Sequence, residues 1–223
     1  MTQPLSLGGD ERVIGHLRGE GAGPTLIIVG SIHGNEDAGT VAAQRVFAHL
    51  QKQALHGEVL ALIGNMAAKR LDVRYQVKDL NRQWTPELVN SLPGRLPDLD
   101  DAEDAEQRAL LHHIESAIGR ARGKVFLIDL HTTSAAGFPF VLFGNIPAQR
   151  AFASPLPITH LLGMEERVNG VLSKYMTTRG VTTCAVEGMH LQDGRDVLVA
   201  DDAQAFAEAV LRLYQDEALW NRL

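Results

Sequence analysis

The chain has 223 residues, of which 45% are hydrophobic and 22% are charged, and its formal net charge is -6. These values are typical of a soluble globular protein, and they exclude a disordered, collagen-like or coiled-coil chain. The acidic balance disfavours a broad nucleic-acid-binding surface. The single cysteine, Cys184, excludes an intrachain disulfide framework.

The N-terminal segment and the apolar runs bear on location. No basic segment followed by an apolar run occurs between Met1 and Arg12, so we predict no signal peptide. The most apolar runs, Thr25–Gly30 and Val59–Gly64, fall far short of the ~20 residues that span a bilayer. We therefore predict a cytoplasmic protein without a membrane partner, with one domain over residues 1–223.

Short apolar runs alternate with amphipathic helical patterns in the first half of the chain. Thr25–Gly30 is uninterrupted and rich in β-branched residues, which predicts a buried strand. Ala38–Leu50 repeats apolar residues at helical spacing, and Glu58–Ile63 predicts a second strand. The stretch Asn65–Pro97 has no clear period, so we predict a long loop, and loops of that length are often functional.

The alternation continues in the second half and indicates a layered α/β fold with a largely parallel or mixed sheet. Sheets of this kind bind ligands beyond the carboxyl ends of their strands. The predicted elements are a helix over Asp101–Arg120, strands at Val125–Asp129 and Phe140–Phe143, a connector over Pro147–Pro157, a helix over Glu165–Met176, a strand at Val181–Val186 and a helix over Ala203–Glu217.

Two histidines and two glutamates follow or close three of the predicted strands. His33 and Glu36 are close enough in sequence to meet on one turn, while His131 and Glu187 belong to later strands. Taken singly, His33 and His131 are better explained as ordinary polar residues at strand ends. Together, two histidines and a glutamate form a ligand set known from catalytic zinc sites, with one position left to water. Asp129, on the same strand face as His131, is placed to orient an imidazole.

Four motifs resemble the succinylglutamate desuccinylase/aspartoacylase family, which is similar to the zinc carboxypeptidases. The motifs are Gly30-Ser-Ile-His33-Gly-Asn-Glu36, Asp79-Leu-Asn81-Arg82, Asp129-Leu-His131-Thr-Thr and Glu187-Gly. They occur in the family's order and cover most of the chain. The resemblance implies a three-layer α/β/α fold with a mixed, largely parallel central sheet, like that of a zinc carboxypeptidase.

The resemblance also implies a catalytic centre with one zinc ion. His33, Glu36 and His131 match the family's zinc ligands, and Glu187 matches its catalytic glutamate. That role is chemically sound, because a carboxylate beside a metal-activated water can take its proton and later pass it to the departing amine. For Glu187 alone, a structural salt bridge is the alternative.

Substrate contacts are implied by four further matches. Arg74 matches an arginine that polarises the scissile carbonyl, as a fixed cation beside a developing oxyanion would. Asn81 and Arg82 match the pair that binds the substrate's carboxylate, a task for which the planar guanidinium is suited. Arg179 resembles another substrate-binding arginine, with a shorter spacing to Glu187. For each arginine, an ordinary surface charge is the alternative.

The expected function is zinc-dependent hydrolysis of the amide bond in a small anionic N-acyl amino acid. The alternatives are a metallocarboxypeptidase acting on small peptides and a non-catalytic homologue. Family members usually carry a C-terminal β-rich domain that helps to close the site, and we expect it to be absent here, because the sequence ends at Leu223 after a predicted helix. Homo-oligomerisation is left open.

Overall fold

A computed structural model describes residues 3–4, 11–133, 138–189, 204 and 208. The strands are β1 Gln3–Pro4, β2 Val13–Arg18, β3 Gly21–Gly30, β4 His56–Ile63, β5 Val125–Thr133, β6 Phe140–Phe143, β7 Thr159–Leu162 and β8 Thr182–Met189. The helices are α1 Ala38–Leu50, α2 Met66–Arg70, α3 Pro86–Ser91, α4 Ala102–Arg120, α5 Pro147–Ala153, α6 Met164–Arg167 and α7 Leu172–Thr178. The predicted helix Ala203–Glu217 lies outside the described residues, except for 204 and 208, which are both helical.

The strands form one mixed sheet in the order β1-β2-β4-β3-β5-β8-β6-β7. At its centre β3 pairs in parallel with both β4 and β5. Antiparallel pairs flank this centre, with β2 against β4 and β6 against β8. The central parallel strands are the buried, β-branched runs that their sequences predict.

Successive residues of β3 face opposite sides of the sheet and enter two different cores. Ile27 and Val29 belong to a cluster that includes Leu110 and Ile114 of α4, together with residues of α7. Ile28, between them, belongs to a second cluster with Ala43 and Phe47 of α1. Helices therefore cover both faces, and the predicted three-layer α/β/α fold is confirmed.

The strand register determines which residues meet at the carboxyl end of the sheet. Gly30, the last residue of β3, lies beside Ile63 of β4 and Leu130 of β5. The segment that follows Gly30 therefore emerges next to His131. The sheet thus brings together side chains that are far apart in the sequence.

The stretch Asn65–Pro97 is more regular than predicted. It contains α2 and α3, together with short 3-10 turns. The side chain of Asn65 accepts a hydrogen bond from the Ala68 backbone, and Thr85 caps α3 in the same way ahead of Pro86. Capping residues and a proline at the first helical position were therefore the available signals, which a search for hydrophobic periodicity does not detect.

The predicted helix over Glu165–Met176 is wrong in its continuity. The chain instead forms α6 and α7, separated by residues 168–171. Gly170 has φ +72°, and a Cβ on it would collide with the backbone carbonyl of Arg82. The turn at Gly170 thus places the start of α7 against the Asn81–Arg82 segment.

Other elements differ in smaller ways. The connector Pro147–Pro157 contains α5, which starts at its first proline. β2 was not predicted. β3 begins at Gly21, earlier than expected, and its pairing with β4 is irregular between Gly21 and Thr25. β5 continues to Thr133, so His131 lies within the strand rather than after it.

The chain divides into two compact units, Met1–Gly188 and Met189–Leu223. All of the predicted site residues belong to the first unit. The thiol of Cys184 is buried in it, in a cluster with Val141 and Phe143. None of the helices in the described part of the chain has the length and apolarity that crossing a membrane requires.

Candidate metal centre

A strained turn after β3 presents His33 and Glu36 to the same space. Ser31 adopts a left-handed backbone conformation with φ 51°, and its hydroxyl donates to the backbone oxygen of Glu36 at 3.1 Å. The backbone N–H of Glu36 in turn donates to the carbonyl of His33 at 3.0 Å. The turn is therefore closed by its own hydrogen bonds, and strained backbone of this kind is concentrated at functional sites.

The carboxylate of Glu36 bridges the two imidazoles. Nδ1 of His33 lies 2.8 Å from its Oε1, and Nδ1 of His131 lies 3.1 Å from its Oε2. The backbone N–H of Thr132 also donates to Oε2 at 3.0 Å. All three side chains are buried, although Glu36 and His131 are 95 residues apart in the sequence.

Two aspartates face the far nitrogens of the same imidazoles. Oδ1 of Asp79 lies 3.1 Å from Nε2 of His33. Oδ2 of Asp129 lies 3.0 Å from Nε2 of His131, a close charge contact without well-aligned hydrogen-bond geometry. Carboxylates in this position hold an imidazole in orientation and leave Nδ1 to face a metal. The position of Asp129 is the one expected, whereas Asp79 was part of a motif to which no role was attached.

The site strongly favours positive charge. Burial lowers the pKa of His33, but Asp79 and Glu36 outweigh this effect and raise it above its ordinary value. Burial likewise opposes protonation of His131, and Asp129 and Glu36 raise its pKa well above that value. Against the effect of burial, the two histidines hold the pKa of Glu36 far below its usual range. The pKa of Asp79, which burial would raise, falls to about 2 beside His33, Arg74 and Arg82.

The donor set fits a divalent metal ion. One donor atom from each of His33, Glu36 and His131 lies within 4.8 Å of the other two. Zinc bonds of about 2.0–2.2 Å place two tetrahedral ligands roughly 3.3 Å apart, so small movements would complete the coordination. Two imidazoles and a carboxylate are also the ligand chemistry that zinc accepts in catalytic sites.

Arg74 and Arg82 lie at the edge of this cluster. Nη1 of Arg74 donates to Oε1 of Glu36 at 3.0 Å, and its Nη2 donates to Oδ2 of Asp79 at 3.4 Å. The side chain of Arg74 remains 45% exposed, so it is accessible from solvent. Arg82 donates to the carbonyl of Asn81 at 2.7 Å and is close enough to lower the pKa of Asp79.

Asn81 is more deeply placed than a residue that only contacts substrate. It is 5% exposed, and its Oδ1 accepts a hydrogen bond from the backbone N–H of Leu172 at the start of α7. Its Nδ2 lies 3.3 Å from Nε2 of His131. The side chain thus links α7 to the imidazole, and its binding of a substrate carboxylate stays a prediction.

Glu187 lies in β8 opposite Phe140 of β6. Burial raises the pKa of its carboxyl group, and the charges of Glu36 and Asp129 add to this effect, while His131 and His33 oppose it. Glu187 is therefore within electrostatic reach of the whole cluster. A carboxyl group with a raised pKa beside a metal centre is suited to accepting and returning a proton.

Arg179 is held elsewhere. Its guanidinium donates to the hydroxyl of Tyr175 at 3.2 Å and lies 3.5 Å from the carboxylate of Glu115 on α4. Arg179 comes just before β8, whereas Glu187 lies near the other end of that strand. Because a strand rises about 3.3 Å per residue, the backbone of Arg179 is far from that of Glu187. The described contacts therefore tie Arg179 to α4 rather than to the metal cluster, and its role in substrate binding stays a prediction.

Comparison with known proteins supports the resemblance that the motifs indicate. A family model described as the succinylglutamate desuccinylase/aspartoacylase catalytic domain matches residues 22–214. An N-acyl-aromatic-L-amino acid amidohydrolase (carboxylate-forming) of Xenopus tropicalis is 34% identical over 128 residues, which are 55% of this chain and 38% of that protein. A probable aspartoacylase of Parasynechococcus marenigrum (strain WH8102) is 33% identical over 131 residues, covering 58% and 41%. The matches thus span well under half the length of these curated relatives.

Solved structures show the same fold at lower identity. Succinylglutamate desuccinylase from Vibrio cholerae superposes with a TM-score of 0.67 at 17% identity, over 96% of this chain and 66% of that one. Murine aminoacylase 3 superposes with a TM-score of 0.53 at 22% identity, over 84% of this chain and 61% of that one. These likenesses concern the fold, whereas the family model matches most of the sequence itself. The chain therefore belongs to the succinylglutamate desuccinylase/aspartoacylase family.

Proposed function

We propose that this protein is a zinc-dependent deacylase that hydrolyses the amide bond of an N-acyl amino acid. The observation that carries the proposal is the meeting of His33, Glu36 and His131 around one point, with Arg74 hydrogen-bonded to Glu36. The effect of these charges on the pKa of Glu187 supports its role beside them. Membership of the family and the names of the curated relatives support the substrate class.

His33, Glu36 and His131 would hold a single zinc ion. When bound, zinc lowers the pKa of a water to about 7 and polarises a carbonyl group. The chain's own residues do the rest. Glu187 takes a proton from the attacking water as its oxygen adds to the amide carbon, and delivers that proton to the amine nitrogen as the C–N bond breaks. The products are a carboxylic acid and a free amino acid.

The arginines supply fixed positive charge. Arg74, already held by Glu36 and Asp79, faces the oxygen on which negative charge develops, so it stabilises the transition state more than the ground state. Arg82 and Asn81 bind the substrate's carboxylate and set the distance between that group and the scissile bond. An anionic substrate is favoured because the cationic side chains of Arg74 and Arg82 lie at one edge of the site.

The proposal is tested by amine release from a panel of N-acetylaspartate, N-succinylglutamate, N-acetyl aromatic amino acids and short peptides. We expect hydrolysis of at least one acyl amino acid, its loss on treatment with a chelator, and its return on addition of zinc. Release of C-terminal residues from peptides alone would instead identify a carboxypeptidase. Stoichiometric zinc without hydrolysis of any compound would refute the deacylase assignment.

A further inference from the structure

Glu103, in the first turn of α4, is a buried carboxylate whose hydrogen bonds come mainly from backbone N–H groups. It is 0% exposed. Oε1 accepts from the N–H of Gln76 at 2.8 Å, and Oε2 accepts from those of Val77 and Lys78 at 2.9 and 3.2 Å. Nδ2 of Asn65 donates to it as well, at 3.2 Å. Hydrogen bonds from several backbone N–H groups are what allow a carboxylate to be buried.

The backbone that Glu103 grips carries two residues of the metal centre. Arg74 lies two residues before Gln76, and Asp79 directly follows Lys78. We call residues 71–79 the Arg74 segment. Through it, Glu103 is connected both to the guanidinium that contacts Glu36 and to the carboxylate that faces His33.

Packing does little to fix the Arg74 segment. All residues from 71 to 77 are exposed, including Val77 at 60% and Tyr75 at 42%. The backbone is tied to the rest of the protein by hydrogen bonds, which run from Gly34 to the carbonyl of Arg74 and from Val73 to that of Ala68. The bonds to Glu103 secure the following half of the segment. An exposed segment with few apolar contacts opens easily unless such bonds hold it.

We propose that Glu103 is a positioning residue for catalysis, which acts by fixing Arg74 and Asp79 relative to the metal ligands. The inference rests on the proposed function for its kinetic consequence, but its effect on zinc binding does not need catalysis. Glutamine at this position keeps the size of the side chain but replaces one of the two accepting oxygens with an NH2 donor. The hydrogen bonds from Gln76, Val77 and Lys78 to one of the two oxygens would then be lost.

The test compares Glu103→Gln with Glu87→Gln, the same substitution in the first turn of α3, where the side chain is exposed. Zinc affinity is measured by competition with a chromophoric chelator, and the fold is checked by circular dichroism and thermal unfolding. Glu103→Asp, which keeps the charge but is one methylene shorter, serves as the second variant if Glu103→Gln does not fold.

We expect Glu103→Gln to bind zinc about tenfold more weakly, since partners that orient a ligating imidazole typically contribute at least that much. Glu87→Gln should bind as the wild type does, and Glu103→Asp should lie between the two. In the active enzyme, kcat should fall about tenfold at saturating zinc with little change in KM, because Arg74 acts mainly in the transition state. In an Arg74→Ala background the same change should lower kcat by less than about threefold.

Wild-type zinc affinity in folded Glu103→Gln, or in folded Glu103→Asp where the glutamine variant does not fold, would overturn the inference, whether or not the protein hydrolyses anything. A kcat loss that is equally large with and without Arg74 would overturn it too. A wild-type protein that hydrolyses no acyl amino acid, but whose zinc affinity depends on Glu103, would refute the proposed function and leave the positioning role supported.

Discussion

At the scale of single residues, Glu187 offers the sharpest separation of chemistry from metal binding. Glu187→Gln keeps the volume of the side chain but removes the group that accepts and returns a proton. We expect kcat to fall by about 10²–10⁴ with the zinc content unchanged. Steady-state kinetics and metal analysis of the same preparation provide the measurement. Turnover near that of the wild type would show that Glu187 is not the general base.

Substitutions of His131 and of Asp129, which contacts its imidazole, should weaken zinc binding to different extents. His131→Ala removes a ligand, and we expect the purified protein to lose its zinc. Asp129→Asn keeps the ligand but weakens its orientation, so affinity should fall by about 10–100-fold. Metal analysis and chelator competition measure the two effects. His112→Ala, at an exposed position on α4, is the control and should retain full zinc. Equal losses in all three variants would contradict the assignment.

Residue types and strand ends were sufficient to predict the cluster, because His33 and Glu36 follow β3 and His131 lies near the end of the parallel strand β5. The residues that support them were harder to find. Asp79 acts across 46 positions on His33, and Glu103 acts on backbone N–H groups that any residue except proline would provide. A contact to the main chain leaves no pattern in the side chains, so sequence reasoning did not find Glu103.

At the scale of elements, hydrophobic periodicity predicted well where one face is buried. The bounds of α1 are those expected. Of its regularly spaced apolar residues Ala43 and Phe47 are buried, whereas Val46, expected on the same face, is 42% exposed. Short helices were missed or merged, because four to seven residues carry too little periodicity and their ends are fixed by caps and tertiary contacts. The break before α7 depends on an approach to Arg82 that only the folded chain reveals.

The break before α7 predicts that alanine substitution of two glycines destabilises the protein to different extents. Gly163 and Gly170 have similar left-handed backbone angles, φ +75° and +72°, but only Gly170 has another backbone where a Cβ would lie. Gly163→Ala should cost about 1–2 kcal/mol of unfolding free energy. Gly170→Ala should cost about 3 kcal/mol or more, because the Asn81–Arg82 segment must move as well.

Urea unfolding monitored by circular dichroism measures both glycine variants. The displaced Asn81–Arg82 segment should also raise KM in Gly170→Ala, while Gly163→Ala keeps the wild-type KM. Equal destabilisation of the two variants would show that the close approach at Gly170 is readily relieved.

At the scale of the whole molecule, zinc should act as a stabilising ligand. A metal that binds only the folded chain adds about 2.7 kcal/mol when its free concentration is 100 times Kd. For a chain of this size that corresponds to a rise in Tm of roughly 5–10 °C. Calorimetry with zinc and with chelator measures the shift, and His131→Ala should abolish it. An equal shift in that variant would place the stabilising ion elsewhere.

The pairing of β3 with β5 also constrains the order of events during synthesis. A growing chain that has reached only the end of α4 contains His33 and Glu36 but not His131, and so lacks a complete ligand set. Tight capture of an ion must wait until β5 has left the ribosome and docked beside β3. If the proposed zinc site is correct, metal insertion would therefore be a late step in the maturation of this protein, and a truncated translation product would not sequester zinc.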